Sequence, residues 1–247
     1  MNQIKRSDLF RILCRSFFIQ ALWNYHSMLG PGFGFSLLPI SKVLFKNQEE
    51  REKFNQRHLE FFNSHPYMAT WCLGAVVKIE EENQRKNWQD PRSVIIFKER
   101  LIGPLGAIGD RIFWSGLKPL IAAISTVIAL IAGWIALPFF LILYNYFHLL
   151  IRIKGLFLSY EKGFDIVSNI SLRRFDNWLK WISFAGIAAT AIFAGVGTFW
   201  ALSKDYHTAA TFIFSLAITP FLMKKQKPLY LIILLTIIFV IVTYYIR

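Results

Sequence analysis

Residues that commonly carry catalysis and metal binding are scarce in this sequence. Its 247 residues include 2 cysteines, Cys14 and Cys72, and no Cys or His spacing typical of a metal site is present. No Ser/His/Asp arrangement and no pair of carboxylates can be assembled from it. We therefore predict no catalytic residue, no metal site and no cofactor, and these absences favour transport or assembly over catalysis.

Acidic residues are also few, with 15 Asp and Glu against 28 Lys and Arg, a formal net charge of +13. The basic residues flank apolar runs and form no single face, which argues against nucleic-acid binding. Their distribution fits the excess of positive charge in cytoplasmic loops of membrane proteins. We expect the basic loops at 152–180 and 224–227 in the cytoplasm and the loop at 203–207 outside. The N-terminus is then cytoplasmic and the C-terminus external.

Long apolar runs dominate the second half of the chain, at 117–151, 181–202, 208–223 and 228–246. The first run is long enough for two membrane-crossing helices joined near Gly133, and each of the others is close to the length of one. The sequence has no alternation of apolar and polar residues long enough to indicate a β-barrel. We predict an all-α integral membrane protein. About five transmembrane helices are expected, near 118–132, 135–152, 178–202, 207–223 and 228–245.

The first 116 residues are predicted to form amphipathic and broken helices. Ser16, Gln20, Asn24 and Ser27 recur at helical spacing, which predicts one polar helix face. Two interpretations stay open, a helix lying at the membrane interface or a polar stripe facing a cavity in the protein. The glycines from Gly30 to Gly34 are expected to end this helix.

A second helix is predicted to begin at Asn47, whose side chain suits a helix N-cap. The sequence Asn-Ser-His-Pro at 63–66 should stop it, because Pro66 disfavours helix at the preceding residue. A third helix is expected at 67–85, with the acidic residues 80–82 at its solvated end. For His65 two roles stay open, a C-terminal cap of the second helix or a group in a polar pore.

The stretch at 99–119 places Gly103, Gly106 and Gly109 close together, followed by Asp110 and Trp114 at the mouth of an apolar run. Glycine and proline favour backbone bends, and the segment lacks the Gly-Lys-Ser/Thr ending of a phosphate loop. Irregular backbone and ionisable groups at membrane depth are tolerated where protein or a polar cavity covers them. The pattern therefore predicts bends at the glycines and a solute path beside them.

Three stretches together resemble the IID subunit of the mannose/fructose/sorbose family of bacterial sugar phosphotransferase systems. They are Arg15–Tyr25 (RSFFIQALWNY), Arg57–Tyr67 (RHLEFFNSHPY) and Ile102–Trp114 (IGPLGAIGDRIFW). The likeness extends over nearly the whole chain and is weak after Arg174. It implies one membrane domain spanning 1–247, with an amphipathic, re-entrant part at 1–116 and transmembrane helices at 117–247.

The resemblance also implies function and partners. A IID subunit pairs with a IIC subunit in the bacterial inner membrane to translocate a hexose-type sugar, while phosphate arrives through cytoplasmic IIA and IIB components. The subunit would be non-catalytic, and its partners would be the IIC-like subunit, IIA/IIB, the sugar and membrane lipid. An alternative is a non-transporting scaffold that docks phosphorylated partners on its basic cytoplasmic face.

Sugar recognition requires fixed hydrogen-bonding groups and an aromatic face. Within the family interpretation, the expected residues of the sugar path are polar or aromatic side chains near the predicted helix breaks. They are Gln20, Asn24, Asn63, His65, Asp110 and Trp114, with Gly103, Gly106 and Gly109 as the bends.

Overall fold

A computed structural model describes residues 3–86 and 91–204, with residues 206, 209, 210, 213, 214 and 217 described singly. The regular elements in this part of the chain are helices, which confirms the predicted all-α class. In chain order they are α1 (Arg6–Ser16), α2 (Gly30–Leu44), α3 (Gln48–Leu59), α4 (Ala69–Lys86), α5 (Pro91–Gly109), α6 (Lys118–Ala132), α7 (Ala136–Lys162) and α8 (Leu172–Lys204). A π-helix at Asp110–Leu117 joins α5 to α6, and short 3-10 turns occupy Gly133–Ile135 and Gly163–Asn169.

Two helical stretches are long and apolar enough to cross a membrane, Arg92–Asn169 and Phe175–Trp200. The first is divided by the predicted turn at Gly133, whose φ of +62° is a left-handed conformation that glycine adopts without strain. The predicted span at 228–245 lies outside the described residues, and so does most of that at 207–223.

The polar face predicted from Ser16 to Ser27 is wrong, because α1 ends at Ser16 and residues 17–29 form turns. The glycines from Gly30 to Gly34 begin α2 instead of ending a helix, with Pro31 in its first turn. Their role is close packing. A Cβ on Gly30 would overlap the main-chain oxygens of Leu59 and Glu60, and one on Gly32 would overlap the backbone of Ile19.

The prediction for α3 and α4 is confirmed within a few residues. The Asn47 side chain accepts a hydrogen bond from the Glu49 amide at 3.0 Å, so Asn47 is the N-cap of α3. The helix ends at Leu59, and the nonhelical residues 60–65 are followed by a turn that leads into α4. This interruption is the break expected before Pro66.

The expectation that residues 80–82 form a solvated helix end is wrong for two of the three carboxylates. The exposed fractions of Glu80 and Glu81 are 3% and 2%. Glu81 accepts hydrogen bonds from the Ile4 amide at 3.2 Å and from the Tyr160 hydroxyl at 2.8 Å. The carboxylates are buried because partners distant in sequence satisfy them.

The predicted bends at Gly103 and Gly106 are not observed, since α5 continues through both to Gly109. Leu101, Leu105 and Ile108 lie on one helix face and are buried, and their packing supports the helix. The backbone changes only after Gly109, where the π-helix begins. Short π segments are rare and often mark functional sites.

The chain forms two compact units. The first comprises Met1–Lys118 and Ile142–Ile182, and the second comprises Pro119–Leu141 and the residues from Ser183 onward. The helices α1 to α5, the π-helix and the C-terminal part of α7 belong to the first unit. The single membrane domain suggested by the sequence stays a prediction.

Candidate functional site

His65 lies in the break between α3 and α4 and is almost completely buried. Its Nδ1 accepts a hydrogen bond from the Tyr67 amide at 3.2 Å, and its carbonyl oxygen accepts from the amides of Met68 and Ala69. These bonds put His65 at the start of α4, so its predicted role as a C-terminal cap of the preceding helix is wrong. Among the described residues, no hydrogen-bond partner reaches its Nε2.

The π-helix packs its aromatic side chains on this histidine. The His65 ring is stacked on Phe113, with centroids 5.2 Å apart and planes 18° apart, and the Trp114 ring lies at 5.2 Å and 60°. A Cβ on Gly109 would overlap the His65 ring, so glycine is needed there for the contact. The side chain of Trp114 is 55% exposed, so it offers an aromatic face beside a buried imidazole.

The loop that carries His65 lies outside both candidate membrane-crossing stretches. Burial, reinforced by the nearby side chains of Arg152 and His148, lowers the pKa of His65 to about 4. The imidazole is therefore neutral at physiological pH. Because Nδ1 is an acceptor, Nε2 carries the proton and is a hydrogen-bond donor.

A second layer of polar groups surrounds Tyr67. Arg152 donates from Nε to His148 Nε2 at 2.7 Å and from Nη1 to Ser16, while its guanidinium lies over the Tyr67 ring at 5.3 Å. The Tyr67 and His148 rings are 3.9 Å apart, and the Tyr67 and Tyr144 hydroxyls are 3.3 Å apart. We call His65, Tyr67, Phe113, Trp114, His148 and Arg152 the His65 cluster.

Sequence reasoning missed the part of this cluster that comes from α7. A signal was present, because His148 and Arg152 are one helical turn apart in an apolar run and therefore share a face. The prediction of a basic loop is wrong for Arg152, because this residue lies within α7 and is buried. Tyr67 gave no signal of its own because its partners come from α7, far away in sequence.

The structure brings together some of the predicted residues. Asn63 shares the loop of His65 and is exposed, and Asp110, also exposed, follows the glycine that contacts His65. Gln20 is exposed among the turns after α1. The Asn24 Oδ1 accepts hydrogen bonds from the amides of His26 and Ser27, so its side chain fixes a local turn.

A buried ion cluster supports the helices next to this loop. Arg57 donates from Nε and Nη2 to both Glu80 oxygens, at 2.8 and 2.7 Å, and His58 Nε2 is 3.0 Å from Glu80 Oε1. Burial lowers the pKa of His58 to about 4. Burial alone would raise the pKa of Glu80, but hydrogen bonds from His58 and Arg57 outweigh it and lower that pKa to about 2. His58 is therefore neutral and donates a hydrogen bond to the ionised carboxylate of Glu80.

Groups of three or more His, Cys, Asp or Glu side chains suited to a metal ion do not occur in the described part of the chain. The chemistry that the His65 cluster offers is hydrogen bonding by a neutral imidazole, tyrosine hydroxyls and a guanidinium beside aromatic faces. Such groups suit the binding of a neutral polyhydroxy ligand.

Comparisons with known proteins identify the family. The model of the phosphotransferase-system (PTS) mannose/fructose/sorbose family IID component matches residues 3–196. The PTS mannose-specific EIID component of Escherichia coli (strain K12) is 35% identical over 170 residues, 68% of this chain and 60% of that protein. The fructose permease IID component of Bacillus subtilis (strain 168) is 30% identical over 187 residues, 75% of this chain and 68% of that protein. The matched region thus spans about 60% of the mannose-specific relative.

Two solved structures are similar. One, described as a membrane protein, has a TM-score of 0.72 and 31% identity, covering 78% of this chain and 71% of that chain. The other is a cryo-electron microscopy structure of the mannose transporter ManYZ with microcin E492. It has a TM-score of 0.64 and 25% identity, and the match covers 99% of this chain and 98% of that chain. With a family match over most of its length, this membrane-embedded chain belongs to the mannose/fructose/sorbose family of PTS IID components.

Proposed function

We propose that the chain is a non-catalytic permease subunit that acts with a IIC partner. Together they carry a hexose-type sugar across the bacterial inner membrane, coupled to its phosphorylation by cytoplasmic IIA and IIB components. The relatives include mannose-specific and fructose-permease IID components, which supports this proposal. The similarity to a mannose transporter structure supports a hetero-oligomeric membrane complex.

The observation that carries the proposal is the pairing of His65 with Trp114. A buried imidazole with a proton on Nε2 and no partner among the described residues lies 5.2 Å from a half-exposed indole, measured between ring centroids. A sugar offers hydroxyls to such a donor and an apolar ring face to such an indole. The His65 Nε2 atom is enclosed in this structure, so a sugar hydroxyl would reach it by displacing side chains packed around the imidazole. The hydrogen bond gained would offset the cost of an unpaired buried donor.

Asn63 and Asp110 complete the proposed sugar path. Both are exposed, and they flank the His65–Gly109 contact in the loop and in the π-helix. Their amide and carboxylate groups supply the hydrogen-bond acceptors that sugar hydroxyls need. We also assign Gln20 and Asn24 to the edge of the proposed path. Asn24 acts there mainly by stabilising the turn formed with His26 and Ser27.

The proposed topology is a multi-pass protein with about five membrane-crossing helices, a cytoplasmic N-terminus and an external C-terminus. The basic residues at 152–180 and 224–227 support this orientation. Arg152 no longer contributes to that support because it is buried in α7.

Sugar uptake by a reconstituted complex tests the proposal. The chain, its IIC partner and the IIA/IIB components are placed in vesicles that contain phosphoenolpyruvate and the proteins that pass its phosphate to IIA, and phosphorylated mannose or fructose is measured inside. Asn63→Ala and Asp110→Ala are expected to reduce uptake strongly. The matched controls are Gln56→Ala and Asp165→Ala, which remove exposed polar groups elsewhere. Full uptake by both test variants would overturn the site assignment.

The alternative function, a scaffold that docks phosphorylated partners, is distinguished by the wild-type complex itself. A complex that forms with IIC but neither binds nor takes up any sugar in a broad screen would favour the scaffold. Neighbouring genes give a second criterion, since IIA, IIB and IIC genes beside a sugar catabolic operon favour transport.

A further inference from the structure

A basic cleft with a volume of about 470 Å³ lies between α1, α2 and α3, apart from the His65 cluster. Four cationic side chains line it, Arg11 and Arg15 from α1, Lys42 from α2 and Arg51 from α3. The volume is within the range of small-molecule sites, about 300–1,000 Å³. The cleft is therefore large enough for a small ligand or for one lipid headgroup.

The positive charge of the cleft is not balanced from within. No Asp or Glu occurs among its lining residues in the described part of the chain. Arg11 is paired with Asp8 at 3.3 Å on the same helix, and that pair is largely exposed on the arginine side. Arg11 and Arg15 are also one turn apart, a spacing at which like charges repel. A bound anion would relieve this repulsion.

Two of the guanidinium groups are held in place by the backbone of α2. Pro39 has no amide hydrogen, so the Phe35 carbonyl four residues earlier lacks its helical donor. Arg15 Nη1 supplies that donor at 3.0 Å, and its guanidinium lies 4.5 Å from the Phe35 ring centre. Arg15 is thus fixed at the cleft by one N–H, while four others stay available.

Arg51 is also fixed by a backbone carbonyl, at the C-terminal end of α2. Its Nε donates to the carbonyl oxygen of Phe45, the C-cap residue, at 2.8 Å. Its two terminal nitrogens are left for further partners. Asn55, one turn further along α3, also lines the cleft, and its buried Oδ1 has no hydrogen-bond partner among the described residues. The cleft therefore combines prearranged cations, which suit an anion, with an amide oxygen that accepts a hydrogen bond from a hydroxyl group of the ligand.

From this geometry we propose that the basic cleft binds a phosphate group. Planar guanidinium groups match phosphate oxygens with paired hydrogen bonds, and an ammonium adds a point charge. The phosphate has two sources, the headgroup of an anionic phospholipid or a soluble phosphate ester. Exposed aromatics close in sequence favour the lipid, since Phe10 precedes Arg11 and Phe18 follows Arg15 by three residues, and their side chains are 59% and 62% exposed. Exposed aromatic and basic groups together are typical of a membrane interface.

The test measures binding to the full-length chain purified in neutral detergent with its IIC partner. Native mass spectrometry follows adducts with phosphatidylglycerol, with phosphatidylcholine, and with glycerol 3-phosphate. The test variant is Arg11→Gln/Lys42→Gln, which removes two charges and leaves the backbone bonds of Arg15 and Arg51 intact. The control, Lys53→Gln/Lys154→Gln, removes two exposed lysines outside the cleft, one of them also paired with a glutamate.

We expect phosphatidylglycerol to bind the wild type and the control alike, and the test variant to bind it roughly 10- to 30-fold more weakly, because each basic side chain strengthens attraction to an anionic headgroup. Phosphatidylcholine should bind weakly to all three. Tight binding of glycerol 3-phosphate, lost in the same variant, would support the cleft with a soluble ester as its source. Equal phosphatidylglycerol binding by the test and control variants would overturn the proposal. So would a wild type that binds neither phosphatidylglycerol nor glycerol 3-phosphate.

A single charge reversal keeps the proposal testable if the double variant does not fold. Lys42→Glu changes one exposed side chain on α2. It should weaken phosphatidylglycerol binding and also reduce the dependence of binding on salt. Unchanged affinity and salt dependence in a folded Lys42→Glu protein would contradict the proposal as well.

Discussion

Arg152 donates hydrogen bonds from Nη1 to both the carbonyl oxygen and the hydroxyl of Ser16, at 2.7 and 3.0 Å. The two residues are separated by 136 positions in the chain. The contact connects the C-terminal end of α1 to the middle of α7. It also orients the arginine so that its Nε reaches His148. One buried side chain therefore links the end of α1 to His148 in the His65 cluster.

Replacing Arg152 should destabilise the protein. Arg152→Gln removes the donor to His148 Nε2 and the two donors to Ser16, and a buried acceptor that loses its partner costs about 1–3 kcal/mol. We expect a clearly lower apparent melting temperature of the detergent-purified protein. The control is Lys154→Gln, an exposed residue on the same helix that should have almost no effect. Equal melting temperatures for the two variants would contradict this role.

The contact between Gly109 and His65 can be tested with alanine. In Gly109→Ala the new Cβ overlaps the imidazole, and overpacking of this kind costs about 1–3 kcal/mol. Gly103→Ala is the matched control, since nothing lies within 4 Å of its Cβ. In the interior of a helix that change should stabilise the protein by about 0.5–1 kcal/mol. Thermal unfolding of both variants measures the difference.

Combining Gly109→Ala with His65→Ala separates the overlap from other effects. His65→Ala removes the ring that the new Cβ at position 109 meets. In that background, Gly109→Ala should destabilise the protein less than it does in the wild type. A cost of Gly109→Ala that is the same with and without the ring would show that the two positions do not interact.

Acid should weaken the fold in two steps. The pKa of His58 falls from its ordinary value of 6.5 to about 4, and that of Glu80 falls from 4.5 to about 2. Both are depressed, so each group contributes stability that is present above its ordinary pKa and is lost as the pH falls through its folded value. The apparent melting temperature should decline between pH 6.5 and 4 through His58 and His65, whose pKa is also lowered to about 4, and between 4.5 and 2 through Glu80.

His58→Gln removes the contribution of His58 to the first step and leaves that of His65, because glutamine keeps a donor for Glu80 but does not titrate. Melting temperatures at a fixed heating rate should fall less between pH 6.5 and 4.5 in this variant than in the wild type. An identical decline would show that other groups are responsible. Lys53→Gln, at an exposed pair on α3, serves as the control and should follow the wild type.

Two glycines allow α4 and α7 to approach closely. A Cβ on Gly74 would overlap Leu156 and Ser159, and one on Gly155 would overlap the Trp71 indole. We expect Gly74→Ala and Gly155→Ala each to lower the melting temperature, since backbone and indole atoms cannot easily move aside. Gly186→Ala, with open space around its Cβ, is the control and should be neutral or stabilising.

The sequence predicts helices and their ends well where interactions between residues close in sequence determine them. Asn47 is the predicted N-cap, and Gly133 is the predicted turn between two apolar helices. Glycine was ambiguous because it serves bends and close packing alike. From Gly30 to Gly34 and at Gly109 the packing role applies, and only the tertiary structure reveals the groups that a Cβ would meet.

The candidate site was predicted only in part. His65 and Trp114 were expected as polar and aromatic residues near a break, and their rings do meet. The prediction of a solvated Glu80 is wrong because Arg57 and His58, which stabilise its buried charge, come from another helix. Contacts between helices depend on packing that the periodicity of a single helix does not encode.

Direct sugar binding by the complex with its IIC partner tests the central proposal most directly. Equilibrium dialysis with labelled mannose and fructose should give saturable binding to the wild type. Trp114→Ala should weaken it roughly threefold to tenfold, as expected for losing one aromatic face, and His65→Gln should weaken it as well. Trp134→Ala, with an indole that is 80% exposed on the turn before α7, should bind as the wild type does. Wild-type affinity in both the Trp114 and His65 variants would contradict the proposed sugar path.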